Sequence, residues 1–200
     1  MSKPQMDKTR PLSWSAISSF EYDKEQWYKK YVLGEPQHET AELKFGKEFA
    51  TSIEDGTCQY MHLFKVQSKV EKEFKCMFGK IPLIGFADSF CEITDRKLEE
   101  YKTGVKPWDQ KRVDQHGQLT MYLLMHWIIN KVRPEDVEVA LTWFPTKRTE
   151  DGNFEVKIEF IEPVEPKRFI TKRTMKEVLA FGMKINKIWR EMQEYAENHE

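Results

Sequence analysis

Three cysteines in 200 residues, Cys58, Cys76 and Cys91, are too few and too far apart for the pairings that cysteines usually announce. They form no C-x-x-C pair, so neither a zinc ribbon nor a disulfide framework is expected, and a reducing, intracellular setting fits better. An excess of charge of one sign is missing too. The formal net charge of −1 excludes a globally basic nucleic-acid binder. Any attraction to phosphate must come from local stripes such as Lys29-Lys30, Lys106, Lys111-Arg112, Lys167-Arg168 and Lys172-Arg173, each of which taken singly also reads as a solvated helix face. No apolar run is long enough for a bilayer; the longest, around 121–129, is interrupted by His126. Residues 1–10 are polar and charged and do not look like a signal peptide, so the sequence reads as soluble, with no membrane partner. Metal-ligand spacing is absent among His38, His62, His116, His126 and His199. Only His116, two positions before Gln118, has a candidate site role. There is no repeat, low-complexity segment or linker.

What remains is a chain with 40% hydrophobic content, enough for one domain with a core. A polar leader over 1–11 precedes a domain over 12–200. Ser13 offers a hydroxyl N-cap, and Ile17, Phe20, Lys24, Trp27 and Tyr31 then follow at helical steps as one helix ended by Gly34-Glu35-Pro36. A second helix is expected over about 43–53. Strands are expected over 70–78, 83–93 and 98–103, with Ile81-Pro82 as a break and Thr94-Asp95-Arg96-Lys97 as a turn. A helix over about 112–131 stops before Pro134. Strands over 137–145 and 153–161 follow, joined by a loop containing Asp151-Gly152, and an amphipathic helix over about 174–195 closes the chain. The order α-α-β-β-β-α-β-β-α argues for one mixed α/β domain. The aromatics Trp14, Phe20, Trp27, Tyr28 and Tyr31 are read mainly as core, with base stacking as the other use open to them.

The chemistry concentrates in Gly85-Phe86-Ala87-Asp88, followed by Glu100-Tyr101-Lys102. Alternate side chains of a strand share a face, so Glu100 and Lys102 point one way and Tyr101 the other. A hairpin would bring Asp88 beside Glu100. Two carboxylates and one ammonium packed together are costly unless a divalent cation binds there. The plainer reading is an exposed ladder of compensating charges.

At these residues the sequence resembles the PD-(D/E)XK nuclease superfamily, in its RecB-like exonuclease branch. Four pieces lie in the family's order: Leu12-Ser13-Trp14-Ser15-Ala16-Ile17 with Trp27 to Gly34; Phe45-Gly46-Lys47-Glu48-Phe49; the Asp88 and Glu100-Tyr101-Lys102 strands; and Gln118 with Tyr122 as a Q-x-x-x-Y motif. The resemblance implies a restriction-endonuclease-like domain, a central mixed β-sheet flanked by helices with a long C-terminal helix. It implies a Mg²⁺- or Mn²⁺-dependent deoxyribonuclease, an exonuclease before a structure-selective endonuclease, acting in recombination, repair or end processing. Asp88, Glu100 and the Tyr101 carbonyl would hold the metal, Lys102 would act on the attacking water, and Gln118 and Tyr122 would position DNA or support the metal. The partners implied are DNA and a helicase, recombinase or annealing protein, in a bacterial cytoplasm or, for a phage-encoded enzyme, within the host.

Two departures qualify the likeness. Where this branch often carries a metal-binding histidine on its second helix, this chain has Ala50; Glu54, or Glu48, could stand in, although the plainer reading of Glu54 is a cap or surface charge. Some relatives bind an iron–sulfur cluster through four cysteines. Three cysteines exclude an intramolecular cluster of that kind, leaving the terminal helix to do the stapling. A non-catalytic nucleic-acid-binding protein that kept the fold is the alternative of a different class.

Overall fold

Polar caps set the starts of most of the helices in the computed structural model, which describes residues 6–36, 38–150 and 155–199. Ser13 accepts from the Ala16 N–H at the start of α1 (Trp14–Tyr22), as expected. The single opening helix does not form. Asp23 turns extended, and its carboxylate caps α2 (Lys24–Tyr31) by accepting from the Gln26 N–H. Lys24, the polar interruption in the apolar stripe, opens the new helix and lays its ammonium 4.9 Å from the Phe20 ring centre. Thr40 caps α3 (Ala41–Glu54).

The strands are β1 (Lys69–Phe78), β2 (Ile81–Phe90) and β3 (Lys97–Gly104), followed after the helices below by β4 (Glu138–Glu150), β5 (Val156–Phe160) and β6 (Lys167–Thr171). Pro82 does not break the pattern: it pairs with Met77 inside β2, and its carbonyl accepts from the Leu12 N–H at 2.7 Å. The helix expected over 112–131 is two, α4 (Gln110–Asp114) and α5 (Gly117–Asn130). The break falls at Gln115-His116, just before a glycine whose added Cβ would lie 2.2 Å from the Trp14 ring. The β6 strand was not expected. The loop residues Asp151-Gly152 and the start of the strand expected from 153 lie outside the described residues. The chain ends in α6 (Met175–Asn198), opened by a capping box between Thr174 and Glu177.

The strands form one mixed six-stranded sheet, β1-β2-β3-β4-β5, with β6 pairing to the first half of β4. Among the described strands only β3 and β4 run parallel, joined by the crossover through α4 and α5. Helices cover both faces. On one side α1, α2, α5 and α6 pack on the main core, with Phe20, Trp27, Leu83, Leu98, Leu123, Ile185 and Met192 buried together. On the other, α3 packs Phe49 and Ile53 against Tyr101 and Phe144. The far end of α6 does staple the fold: Tyr195 lies edge-on to Phe20, Trp27 and Tyr28. Those three aromatics are thereby core residues. Trp14 is half-buried and packs against the edge of the same core. Two of the basic stripes are structural as well. Arg168 pairs with buried Glu99, and Arg173 is buried against Thr120, Thr171 and the Val113 carbonyl.

Candidate active site

The β2–β3 hairpin sets the site by stopping short. Its ladder contains only Ser89↔Glu99 and Phe90↔Leu98. The next position on β2 is Asp88, and there a side chain replaces the backbone: the Tyr101 N–H donates to Asp88 Oδ2 at 2.6 Å. The strands part beyond this point, while β3 remains paired to β4 through Glu100↔Leu141 and Lys102↔Trp143. A central strand carries its side chains into packed layers on both sides. Leu98 enters the main core and Tyr101 the opposite one. Glu100, on the Leu98 side, is only 1% exposed.

Lys102 forms an ion pair with Glu100 Oε1 and keeps 31% of its side chain exposed. Burial disfavours its charge, yet the Glu100 and Asp88 carboxylates outweigh that and hold its pKa above the ordinary value. Asp88 is driven well above the usual carboxylate range, first by burial and then by the Glu100 charge. One ammonium therefore serves two buried carboxylates. Glu100 Oε2 is buried and has no hydrogen-bond partner among the described residues, an arrangement that costs free energy as it stands.

Behind the strands stands Tyr122, 2% exposed. Its hydroxyl donates to the Phe86 carbonyl, two residues before Asp88, and accepts from Gln118 Nε2 at 2.6 Å. Gly85 makes this possible, since a Cβ there would meet Tyr122 at 2.9 Å and Met125 at 2.7 Å. The Gln118–Tyr122 pair thus braces the Asp88 strand, and Gln118 also reaches a cleft.

Two clefts flank Lys102. One, about 320 Å³, lies on the α3 side, where Ala50 and Gly46 face Glu71, Asp88, Tyr101 and Lys102. Ala50 is thus where the resemblance places a helix ligand, with a methyl group in its stead. Glu48 lines a different cleft, with Tyr60 and Phe160. Glu54 is exposed at the end of α3 and does not line the Asp88 cleft. The residue that sequence reading missed is Glu71. The β1–β2 register sets it across from Asp88, and its φ of +50° is rare for a residue with a side chain. Burial, then the charges of Glu54 and Glu100, push its pKa up. Nothing in the imperfect alternation of β1 singles it out; the signal is its register position opposite Asp88.

The second cleft, about 450 Å³, opens between α1 and α5, with Trp14, Phe86, Lys102, His116, Gln118 and Tyr122 among its walls. Of the histidines, only His116 adjoins the site. His126 is buried, with Nε2 at 2.7 Å from the Asp95 carbonyl.

Among the described residues, no group of three or more His, Cys, Asp or Glu side chains is arranged to hold a metal ion. The donor set nevertheless suits one. Asp88, Glu100 and Glu71 offer oxygen to a hard cation, and the unpartnered Glu100 Oε2 is a buried acceptor with nothing to accept.

Neither a protein-family model nor a curated protein matches this sequence. Solved structures do. A protein from Eubacterium rectale, provisionally described as an exonuclease, superposes with a TM-score of 0.51 at 11% identity, covering 91% of this chain and 81% of its own. An alkaline exonuclease from Laribacter hongkongensis gives a TM-score of 0.50 at 8% identity, covering 94% of this chain and 90% of its own. The chain shares the fold of these two proteins. At these identities the likeness establishes the fold and its single α/β domain, with the long C-terminal helix included. No helix among the described residues is long and apolar enough to cross a membrane.

Proposed function

We propose that the protein is a Mg²⁺- or Mn²⁺-dependent deoxyribonuclease, an exonuclease working on DNA ends in recombination, repair or end processing. The observation that carries this reading is the buried Asp88–Glu100 pair served by the single ammonium of Lys102. Such a pair gains from a divalent cation what it lacks without one. Both solved neighbours carry exonuclease in their descriptions, which supports the same class.

Asp88 and Glu100 would hold the ion, with the Tyr101 carbonyl and Glu71 completing its oxygen shell. When bound, the ion supplies Lewis-acid polarisation of the scissile phosphate and lowers the pKa of a water. Lys102 keeps its proton at Nζ, orients the attacking water and offsets charge that builds on the phosphoryl oxygens. Tyr122 fixes the backbone beside Asp88, and Gln118 faces the strand being cut. The partners that fit an enzyme of this kind are DNA and a helicase, recombinase or annealing protein, in a bacterial cytoplasm or, if phage-encoded, in the host.

Ala50 favours a second reading, a non-catalytic nucleic-acid-binding protein, because it removes a helix ligand from the Asp88 cleft. End-labelled linear DNA and a closed circle, incubated with Mg²⁺, Mn²⁺ or EDTA, separate the possibilities. Metal-dependent loss of linear strands with intact circles is expected. Cut circles would make the enzyme an endonuclease. DNA bound but uncut in either metal would make it a binding module.

A further inference from the structure

The cleft between α1 and α5 has a wall that hydrolysis at Asp88 and Glu100 does not use. Trp14 and His116 stand side by side there, ring centres 5.9 Å apart. The row continues away from the cleft, His116 to Trp108 at 4.9 Å, and the Arg112 guanidinium lies 3.8 Å over the Trp108 ring. Trp14 is held from behind. Phe181 sits 6.2 Å away, and Gly117 leaves no space for a side chain against the indole. This differs from Phe20 and Trp27, which are sealed in the core. A rigid aromatic ring that is half-buried and faces a cleft gives a flat contact surface at little entropic cost.

The remaining walls set the chemistry of an occupant. Lys102 is at one end, bringing the cleft to the atoms proposed to cut. The His116 ring is neutral at ordinary pH, because burial, then Lys102 and nearby arginines, push its pKa down to about 3. Gln118 donates to Tyr122 with its amide nitrogen, and its carbonyl accepts nothing from the described residues. Ser15 and Ser13 share a hydroxyl contact at 2.8 Å at the rim. Apart from Lys102, the lining is therefore uncharged: flat rings flanked by amide and hydroxyl groups. A phosphate would find one cation here; a heterocyclic base would find a stacking face and polar groups for its edge.

We propose that this cleft seats an unpaired nucleobase of the strand being cut, stacked on Trp14 beside His116, with its phosphate directed toward Lys102. The inference rests on the nuclease reading for the direction of the phosphate, but not for the stacking itself. A paired base has its edge occupied and both faces stacked, so entry requires a single strand or a frayed end. The protein should accordingly engage single-stranded ends through their bases as well as their backbone.

The test measures binding in EDTA, by fluorescence anisotropy, of a thymidine strand of about eight nucleotides and of the same sugar–phosphate chain without bases. Wild type should bind the base-bearing strand about 5- to 100-fold more tightly. Trp14→Leu should lose most of that ratio and Trp14→Phe keep it, while binding of a blunt duplex is unchanged by either. Circular dichroism establishes that the variants fold. Equal affinity of wild type for the two strands would overturn the proposal, whatever the variants do; so would an undiminished ratio in folded Trp14→Leu. Cleavage of the same strands in Mg²⁺ tests the nuclease reading separately. A Trp14-dependent base preference without cleavage removes the nuclease and leaves the stacking cleft, and cleavage without base preference does the reverse.

Discussion

The Tyr101 N–H donates to Asp88 Oδ2 at 2.6 Å, where the β2–β3 ladder gives way. A carboxylate here does the work of a backbone carbonyl, which fixes its position relative to Glu100 on the next strand. The fit of the hairpin therefore depends on an acid that burial and Glu100 both disfavour as an anion.

Asp88→Asn keeps an oxygen for the Tyr101 N–H and removes the like charge. In EDTA this variant should be more stable than wild type by about 1–3 kcal/mol, read as an increase in the denaturation midpoint, while nuclease activity is lost. A variant less stable than wild type in EDTA would show that the two carboxylates do not oppose each other.

Tyr122→Phe leaves the Phe86 carbonyl without its donor and Gln118 Nε2 without its acceptor. The expected loss is about 1–3 kcal/mol of stability, from one buried acceptor left unsatisfied. Turnover should fall as well, because β2 loses its tie two residues before Asp88. Urea denaturation and steady-state cleavage on one preparation check both; full stability with full activity would remove Tyr122 from any bracing role.

His116 gives a pH dependence of definite sign. Its folded pKa is about 3 against an ordinary value near 6.5. Between those values the unfolded chain binds the extra proton, so stability falls as pH is lowered from about 6.5, by up to about 1.4 kcal/mol per pH unit. Asp88 works in the opposite direction, since protonation relieves it. The difference between wild type and His116→Gln isolates the histidine: the variant should gain on wild type steadily as pH drops from 6.5 to 4. A constant difference across that range would contradict a buried neutral imidazole.

The site was legible where strand geometry alone sufficed. Glu100 and Lys102 had to share a face, and the turn at 94–97 left Asp88 opposite Glu100. What escaped the sequence depended on distant partners. Lys24 fits a continuous helical stripe, and only its contact with the Phe20 ring and the cap from Asp23 reveal two helices. The β6 strand is five residues with two charges, and its identity lies in pairing to β4 and in the Arg168–Glu99 ion pair. That same pairing turns Arg168 from a candidate phosphate contact into a structural group. Glu71 became visible only through its register with Asp88. Trp14 and Trp27 look alike in sequence; α6 meets both, but Trp27 is sealed in the core while Trp14 keeps a side toward a cleft.

The central claim is the division of labour among Asp88, Glu100 and Lys102. Calorimetric titration of Mn²⁺ into wild type, Asp88→Ala and Lys102→Ala, paired with turnover on linear DNA, tests it most directly. Lys102→Ala should bind the ion as wild type does and turn over about 10²- to 10⁴-fold more slowly, whereas Asp88→Ala should lose both. Equal loss of metal binding in the two variants, or full turnover without Lys102, would contradict the account.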